Sequence, residues 1–522
     1  MRRMTSLTPL AVIMLLPASA QSEERNRFAD LLALQEAVHE SIEKAEPSIA
    51  CILVSRSDKY SAITPVLPQA PGRLGGFDLR RAILRPQDDN DPENQALRRL
   101  DLSNPDCIPE SYGSGVVLDE KEGLVLTLAH VVRNATKIYV RLPGNRGSWA
   151  DIHASDPRSD FAVLRLIDRV PDLKALKLGD GGKLRKGDFV LSLSNPFAVG
   201  FRDGSPSASF GIVSNLRRRA TGVLSDVPST ERNSRLPLYC FNTLIQTDTR
   251  MNLGCSGGAL LNRQGELVGL TSSLAGIAGG EAPGGFAVPL DDGMRRIIEV
   301  LRRGEEVEYG FLGVYLMRQD QAPPGLVHIS SLIIGGPAEQ SGIRGALFHG
   351  GFGMRGRFGN SEGGDYILSV KGADVHSNDD LFLAVGMQLA GNTVCIEVAE
   401  RPDSPRRPCF VKLAKFPSLG PVIASKQPPA RGGLRVDWTS TISVRSRFRI
   451  PEGVVIRQVL PGSAADKARL QPDMIIKSVN GKKVTNPAEF YREMEKANGP
   501  VELTFGTLDQ RSEDQRVTIN VK

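Results

Sequence analysis

Ser256 lies in a glycine-rich run at residues 254–258, Gly-Cys-Ser-Gly-Gly. Glycine has no Cβ, so the backbone can make a tight turn there and direct amide N–H groups at a developing oxyanion. A serine in such a turn is a candidate nucleophile for acyl transfer. Because the chain has 53 glycines, an ordinary glycine-rich turn is the default interpretation unless a base and an orienting carboxylate accompany the serine.

His130 is the best candidate for the base. A serine hydroxyl attacks a carbonyl only when a base accepts its proton, and histidine is the usual base. His130 ends an apolar run that begins at Gly123, which predicts a strand with the imidazole at its rigid end. Taken alone, a buried strand histidine would be the simpler interpretation. His39, in a predicted surface helix, and His153, in a polar stretch between strands, are weaker candidates.

The carboxylate that orients the base should open a strand, because it must be partly buried and still reach the imidazole. Asp160 directly precedes an apolar run and meets this condition. Asp151 and Asp156 are nearby alternatives, and a solvated loop aspartate is the simpler interpretation of each. The order His130, Asp160, Ser256 is that of the chymotrypsin class and differs from that of subtilisins and α/β-hydrolases.

Six segments together resemble the HtrA (Deg) proteases, in matching order. They are residues 113–117 (Gly-Ser-Gly-Val-Val), 126–132 (Leu-Thr-Leu-Ala-His-Val-Val), 159–164 (Ser-Asp-Phe-Ala-Val-Leu), 246–248 (Gln-Thr-Asp), 254–258 and 285–289 (Gly-Phe-Ala-Val-Pro). The resemblance implies a mainly β protein with a chymotrypsin/trypsin-like double β-barrel followed by PDZ domains. It implies an ATP-independent endopeptidase of unfolded exported proteins, without a cofactor. In the family the N-terminal segment often helps to form trimers, and a helix that caps its own barrel is the alternative interpretation of this segment. It also implies that the amides of Gly254 and Ser256 form the oxyanion hole.

The sequence departs from the family pattern around the nucleophile. Cys255 stands where asparagine or aspartate is usual, and Leu128 stands where asparagine is common. A thiol is a weak hydrogen-bonding group, so the order of this turn is open. A second hypothesis is therefore a peptide-binding chaperone or scaffold with a weak or silent protease domain. Because all three triad side chains are present, we favour the active protease.

The resemblance places the primary substrate pocket at Leu270, Thr271 and Ser272. This segment has no aspartate that could pair with a substrate lysine or arginine. The resemblance implies cleavage after small or medium aliphatic residues.

The N-terminus has the features of a secretory signal. Arg2 and Arg3 precede an apolar stretch at residues 7–16, and Ala-Ser-Ala at 18–20 is a small-residue cleavage site. The apolar stretch is shorter than the ~20 residues that span a bilayer. We therefore predict a secreted or periplasmic protein, cleaved near Ala20, with no membrane span in the mature chain. Without the two signal arginines, 63 basic and 59 acidic residues leave a charge of +4, too small and dispersed to indicate nucleic-acid binding.

Six cysteines allow fifteen full pairings. Cys395 and Cys409 flank a turn-rich segment and are one candidate disulfide, and closing such a loop would contribute about 3 kcal/mol. Cys51 and Cys107 bracket a long insertion and are a second candidate. The two that remain, bonded or free, are Cys240 and Cys255. No spacing of cysteines or histidines is typical of a metal site, so no metal is predicted.

The chain beyond residue 304 contains two segments with three shared signatures, which are candidate repeats. Each resembles an HtrA-type PDZ domain, a fold that binds an extended peptide as an added strand while loop amides hold its terminal carboxylate. The predicted peptide-binding loops contain Gly310, Phe311, Leu312, Gly313, Gly433 and Leu434. Their predicted partners are peptide C-termini.

The predicted organisation has six parts. They are a signal peptide (1–20), an N-terminal helical segment (21–46), a protease domain (47–303) with a long surface loop (56–106), a first PDZ domain (304–415) with a glycine-rich insertion (344–363), a linker (416–431) and a second PDZ domain (432–522). Four prolines between residues 417 and 429 indicate a semi-stiff linker, which predicts that the second PDZ domain moves relative to the first.

Overall fold

The computed structural model describes residues 18–56, 101–105, 109, 111–218, 237–241, 243–273, 285–318, 321–346, 363–417, 423–442, 450–497, 499–506 and 514–521, with only the backbone for 18–28, 240 and 521. Within these residues the protein is mainly β and contains two barrels, as predicted. Most of the predicted loop 56–106, most of the insertion 344–363, Cys107 and residues 1–17 of the predicted signal lie outside the described residues.

A long helix, α1 (Ala18–Ala45), precedes the first barrel and ends within one residue of the predicted boundary. Val38 and Ile42, near its C-terminal end, pack against the barrel core, and the ammonium of Lys44 donates to the carbonyl of Gln264 at 3.2 Å. The last turns of the helix are therefore attached to the barrels.

The first barrel is built from six antiparallel strands. They are β1 (Ile49–Ser55), β2 (Ser111–Asp119), β3 (Leu124–Leu128), β4 (Lys137–Leu142), β5 (Arg146–Asp156) and β6 (Phe161–Leu166). Their order is β5-β4-β1-β2-β3-β6, and pairing between β5 and β6 closes the sheet. Every side chain of β1 and β3 is buried, because these apolar strands pack on both faces.

The second barrel is also closed and antiparallel. Its strands are β7 (Phe189–Ser194), β8 (Ser207–Arg218), β9 (Leu244–Thr247), β10 (Ala259–Leu261), β11 (Leu267–Ser272) and β12 (Gly285–Pro289). Helix α2 (Asp292–Arg302) follows and begins where the carboxylate of Asp291 accepts the Met294 amide at 2.9 Å. The largest hydrophobic core joins residues of both barrels and α2, and a smaller separate core fills the second barrel.

Two smaller sheets follow, and they share one topology. The first unit contains β13 (Gly310–Phe311), β14 (Val314–Leu316), β15 (Val327–Leu332), α3 (Pro337–Gln340), β16 (Tyr366–Val370), β17 (Ala373–Asp374), α4 (Asn378–Gly386), β18 (Thr393–Ala399), β19 (Arg407–Lys412) and β20 (Ala414–Lys415). After β21 (Ile423–Ala424), the second unit contains β22 (Leu434–Trp438), β23 (Val454–Val459), α5 (Ala464–Lys467), β24 (Ile475–Val479), β25 (Lys482–Lys483), α6 (Pro487–Glu495), β26 (Gly499–Gly506) and β27 (Gln515–Val521). The strand order β14-β15-β16-β18-β19 in the first sheet matches β22-β23-β24-β26-β27 in the second. Each unit has its own hydrophobic core.

The predicted linker between these units contacts the rest of the molecule. Strand β21 pairs antiparallel with β5 of the first barrel. At the end of the first unit, the buried ammonium of Lys415 lies 2.8 Å from a Glu306 carboxylate oxygen and 3.0 Å from one of Asp437. Burial lowers the pKa of Lys415, but the carboxylates of Asp437, Glu308 and Glu306 outweigh it and raise the pKa above its ordinary value. These contacts hold the two units together, whereas the proline content alone predicted relative movement.

The predicted disulfide between Cys395 and Cys409 is wrong, because both cysteines are free. In the pairing of β18 with β19, Cys395 is opposite Phe410 and Cys409 is opposite Ile396. Since neighbouring residues of a strand point to opposite faces, the two thiols lie on opposite sides of the sheet. Cys51 is also free and fully buried in β1, where burial raises the pKa of its thiol to about 12.

Candidate active site

His130 and Asp160 form a hydrogen-bonded pair at the end of the first barrel. His130 follows β3 by two residues, and Asp160 directly precedes β6, the strand that pairs with β3. His130 Nδ1 lies 2.7 Å from Asp160 Oδ2, and the His130 amide donates to Asp160 Oδ1 at 3.0 Å. The carboxylate is buried, so Nδ1 carries the proton and the imidazole presents Nε2 as a base.

The turn before Asp160 holds this aspartate in an unusual backbone conformation. Asp160 has φ +64°, a left-handed conformation that non-glycine residues seldom adopt. The buried carboxylate of Asp156 accepts the Ser159 amide at 2.9 Å and the Ser159 hydroxyl at 2.5 Å. Asp156 therefore stabilises the turn. Asp151, the other alternative from the sequence, is exposed.

Tyr309, which lies just before β13, completes this arrangement from outside the barrels. Its hydroxyl donates to Asp156 Oδ2. Burial raises the pKa of the Asp156 carboxyl, while the hydrogen bonds from Ser159 and Tyr309 act in the opposite direction. The guanidinium of Arg158 lies 3.9 Å from the ring centroid of Phe416 and 5.2 Å from that of Tyr309. Tyr309 and Phe416, which flank the first smaller unit, thus contact the turn that carries Asp160.

Residues 254–258 form the turn that carries the candidate nucleophile Ser256, the nucleophile turn, and this turn needs glycine at two positions. Gly254 has φ +93° and Gly257 has φ +87°. A Cβ on Gly254 would lie 2.5 Å from the Asn195 carbonyl oxygen, and one on Gly257 would lie 2.2 Å from the Ser114 carbonyl oxygen. Substitution at either position would therefore combine backbone strain with a clash against backbone atoms.

Hydrogen bonds hold successive carbonyl groups of this turn. The Phe197 amide donates to the Leu253 carbonyl at 2.6 Å, and the Ser114 hydroxyl donates to the Gly254 carbonyl at 2.7 Å. The Thr271 hydroxyl donates to the Cys255 carbonyl at 2.5 Å. In a trans peptide the N–H points away from the C=O, so these contacts turn the amides of Gly254 and Ser256 to the other side.

The amides of Gly254 and Ser256 are available to a ligand. Neither donates to a backbone carbonyl within the described part of the chain, whereas the Cys255 amide donates to the Asn252 carbonyl at 3.1 Å. The free, buried Cys255 thiol accepts the Asn252 amide at 3.3 Å. The hydroxyl groups of Ser114 and Thr271, on neighbouring strands, thus support the turn that contains the weakly bonding Cys255 thiol.

The hydroxyl of Ser256 contacts Ser273. The two Oγ atoms lie 2.7 Å apart, and the Ser273 amide donates to Ser256 Oγ at 3.0 Å. Among the described residues, no hydrogen bond joins Ser256 to His130. The structure therefore pairs His130 with Asp160 directly and gives Ser256 a different partner.

A family model for the trypsin-like peptidase domain matches residues 113–270. The probable periplasmic serine endoprotease DegP-like of Marinomonas sp. (strain MWYL1) is 32% identical over 391 residues, which cover 73% of this chain and 73% of that protein. The chain belongs to the HtrA (Deg) family. It is a periplasmic serine endopeptidase with a trypsin-like fold.

The chain is also similar to another curated protease and to a solved structure. The periplasmic pH-dependent serine endoprotease DegQ of Escherichia coli (strain K12) is 29% identical over 389 residues, covering 73% of this chain and 74% of that protein. The solved structure titled "HtrA-type protease AlgW with tripeptide" is 21% identical, with a TM-score of 0.46, and covers 74% of this chain and 97% of that chain.

The residues predicted for the HtrA substrate pocket lie on or next to strand β11. Leu270 is fully buried in the hydrophobic core, Thr271 donates to the nucleophile turn, and Ser272 is the last residue of the strand. The sequence did not indicate the supporting roles of Ser114 and Ser273. Ser114 lies in one of the segments that carry the family resemblance, and Ser273 directly follows the predicted pocket residues.

The predicted peptide-binding loops occupy equivalent places in the two smaller units. Gly310 and Phe311 form β13, which pairs with β20, while the carbonyls of Leu312 and Gly313 accept the Ala338 and Ile333 amides. The Gly433 carbonyl accepts the Leu460 amide at 2.9 Å, and Leu434 opens β22. The amides of Gly310 and Leu434 already donate within the chain, to Gln388 and Arg431, so other amides of these loops would have to hold a carboxylate.

Neither a candidate membrane-spanning helix nor a candidate metal-binding cluster occurs among the described residues. None of the helices there combines the length and apolar character needed to cross a membrane. No group of three or more His, Cys, Asp and Glu side chains in those ranges could hold a metal ion.

Proposed function

We propose that this HtrA protease cleaves peptide bonds with Ser256 as nucleophile, His130 as general base and Asp160 as the carboxylate that orients the base. The observation that carries the proposal is the buried Asp160 carboxylate, which accepts hydrogen bonds from both the imidazole and the amide of His130. This contact selects the tautomer whose Nε2 accepts a proton.

Each step of acyl transfer has a group of this chain available to it. Ser256 Oγ attacks the substrate carbonyl carbon while His130 Nε2 takes the hydroxyl proton, and the amides of Gly254 and Ser256 stabilise the oxyanion. The imidazolium then gives its proton to the leaving amine. Water, activated by the same imidazole, hydrolyses the acyl-enzyme and restores the Ser256 hydroxyl.

We propose that the substrates are unfolded or damaged polypeptides, because an endopeptidase cleft must take the chain in an extended form that folded proteins do not offer. The two smaller units would be PDZ domains that bind peptide segments or C-termini through the loops at 310–313 and 433–434. Their common strand order supports this assignment. The domain boundaries given above and a trimer-based assembly belong to the same proposal.

Cleavage after small or medium aliphatic residues fits the residue types at the proposed pocket. None of Leu270, Thr271 and Ser272 carries a charge that could bind a basic side chain. We expect peptides with valine, alanine or leucine before the scissile bond to be cleaved faster than peptides with lysine or aspartate there.

The triad assignment is tested with Ser256→Ala in the mature protein. The parent should degrade reduced casein and react with a serine-directed fluorophosphonate, and the variant should do neither. Ser207→Ala removes the hydroxyl of an exposed serine of β8 and should behave like the parent. Equal cleavage by the parent and Ser256→Ala, together with equal labelling, would show that Ser256 is not the nucleophile.

A further inference from the structure

The Ser256 hydroxyl is held by two groups of one residue. Ser273 contributes both its hydroxyl, at 2.7 Å, and its backbone amide, at 3.0 Å. Since the amide can only donate, the Ser256 oxygen accepts there and can give its own proton to the Ser273 oxygen. A hydroxyl has one proton, so when Ser256 donates to Ser273 it cannot also donate to His130.

We propose that Ser273 is a positioning residue that keeps the Ser256 hydroxyl in a resting orientation, and that an extended substrate releases it by taking the Ser273 amide. The inference rests on the proposed role of Ser256 as nucleophile. Rotation about the Ser256 side-chain bond then brings the hydroxyl to His130.

The position of Ser273 in the fold supports release by substrate. The pairing of β11 with β12 ends at Ser272, opposite Phe286, so Ser273 lies just beyond the described ladder. A backbone amide at the end of a strand is a group to which an extended peptide can add by strand pairing. Ser273 is half-buried, so it lies within reach of an incoming chain.

Thr271 provides a contrast on the same strand. Residues two apart point to the same face, and Thr271 and Ser273 both contact the nucleophile turn. Thr271 is fully buried and donates to the Cys255 carbonyl, so it supports the backbone of the turn. The hydrogen bonds that Ser273 makes to this turn within the described residues both go to the Ser256 side chain, which must move.

The test is the rate at which a small fluorophosphonate labels the mature protein without any peptide. Ser273→Ala should label about 2- to 10-fold faster, because it removes one neutral hydrogen bond of ordinary strength from the resting state. Ser273→Thr keeps a hydroxyl and should label at the parental rate, as should Ser207→Ala. The midpoint of the pH profile of labelling should be the same in all four proteins, because the base is unchanged.

Peptide cleavage supplies a second readout. If substrate binding releases the hydroxyl, Ser273→Ala should lower KM about 2- to 10-fold and leave kcat within about twofold. A raised kcat at unchanged KM would overturn release by substrate. Labelling of a folded Ser273→Ala at or below the parental rate would overturn the resting orientation itself. If the parent and Ser256→Ala label equally, the nucleophile assignment fails instead, which keeps the two failures distinct.

Discussion

The two halves of the active site differ in how completely they are assembled. In the half from the first barrel, His130 and Asp160 are joined by two hydrogen bonds of 2.7 and 3.0 Å, and the carboxylate is buried. In the half from the second barrel, the backbone around Ser256 is fixed by several hydrogen bonds, but the hydroxyl is bonded to Ser273.

This difference separates two requirements of a serine protease. The base needs a fixed tautomer and orientation, which a rigid pair of strands can provide. The nucleophile needs an ordered backbone for the oxyanion hole and a side chain that is free to rotate. Under the proposed mechanism, control lies at the Ser256 side chain, where a single rotation separates the proposed resting arrangement from the reactive one.

The largest expected effect on activity is at the His130–Asp160 half of the site. Asp160→Asn should lower kcat/KM for casein-derived peptides by about 10³- to 10⁴-fold, because the amide can present an N–H to Nδ1 and favour the wrong tautomer. Asp151→Asn, an exposed aspartate nearby, is the matched control and should keep parental activity. A fall of less than about tenfold in Asp160→Asn would mean that the contact with His130 is not catalytic.

The sequence predicted the parts of this comparison that depend on residue type in short motifs. A serine in a glycine-rich run, a histidine at a strand end and an aspartate before a strand are recognisable locally. The alternation of short strands that gives a mainly β fold is recognisable in the same way. The residues that support them are ordinary in type and distant in sequence. Tyr309 lies 153 positions from Asp156, and no local pattern indicates that contact.

Register and pairing explain the predictions that differed from the structure. The proposed disulfide between Cys395 and Cys409 depended on the loop they flank, but the strand register sends their side chains to opposite faces. The proline-rich segment predicted as a mobile linker contains β21, whose pairing with β5 is a tertiary contact at a sheet edge. Neither outcome follows from composition or spacing.

The second prediction concerns the backbone of the Ser256 half. The Ser114 hydroxyl accepts the Asn195 amide at 2.8 Å and donates to the Gly254 carbonyl at 2.7 Å, both in a buried position. Ser114→Ala leaves both groups unsatisfied and loosens the peptide next to the oxyanion hole. We expect kcat to fall roughly 10- to 100-fold with a smaller change in KM, below the full effect of deleting an oxyanion donor.

Steady-state kinetics on a peptide substrate measure this effect, with Ser207→Ala as the control. An unchanged kcat in Ser114→Ala would show that the turn is ordered without this hydroxyl. The backbone around Ser256 would then keep its geometry without the Ser114 hydroxyl.

The third prediction tests support for the His130–Asp160 half from outside the barrels. Tyr309→Phe removes the hydroxyl that donates to Asp156 and should lower the free energy of unfolding of the protease unit by about 1.5–3 kcal/mol at neutral pH. The urea concentration at which proteolytic activity is lost reversibly measures this change. Tyr315→Phe, at a half-exposed tyrosine, is the matched control.

The loss of folding stability in Tyr309→Phe should depend on pH. Burial already raises the pKa of Asp156, and loss of the tyrosine donor raises it further. A carboxyl whose pKa is higher in the folded than in the unfolded state makes the folded protein bind more protons, so its stability falls as pH rises through that range. The destabilisation by Tyr309→Phe should therefore shrink as pH is lowered from 7 toward about 4, near the ordinary pKa of aspartate. A difference that grows on acidification would contradict this role for Tyr309.

The smallest effect is expected at Cys255, the most unusual residue of the nucleophile turn. Its thiol accepts the Asn252 amide at 3.3 Å, while the hydroxyl groups of Ser114 and Thr271 hold the carbonyls of Gly254 and Cys255. A thiol is a weak acceptor, so Cys255→Ala should change kcat/KM by less than about threefold. Cys255→Ser keeps an acceptor of similar size and should match the parent. A tenfold or larger loss of kcat/KM in Cys255→Ala alone would mean that the turn depends on the Cys255 thiol. The hydrogen bonds from neighbouring strands would then not be enough to order the backbone around Ser256.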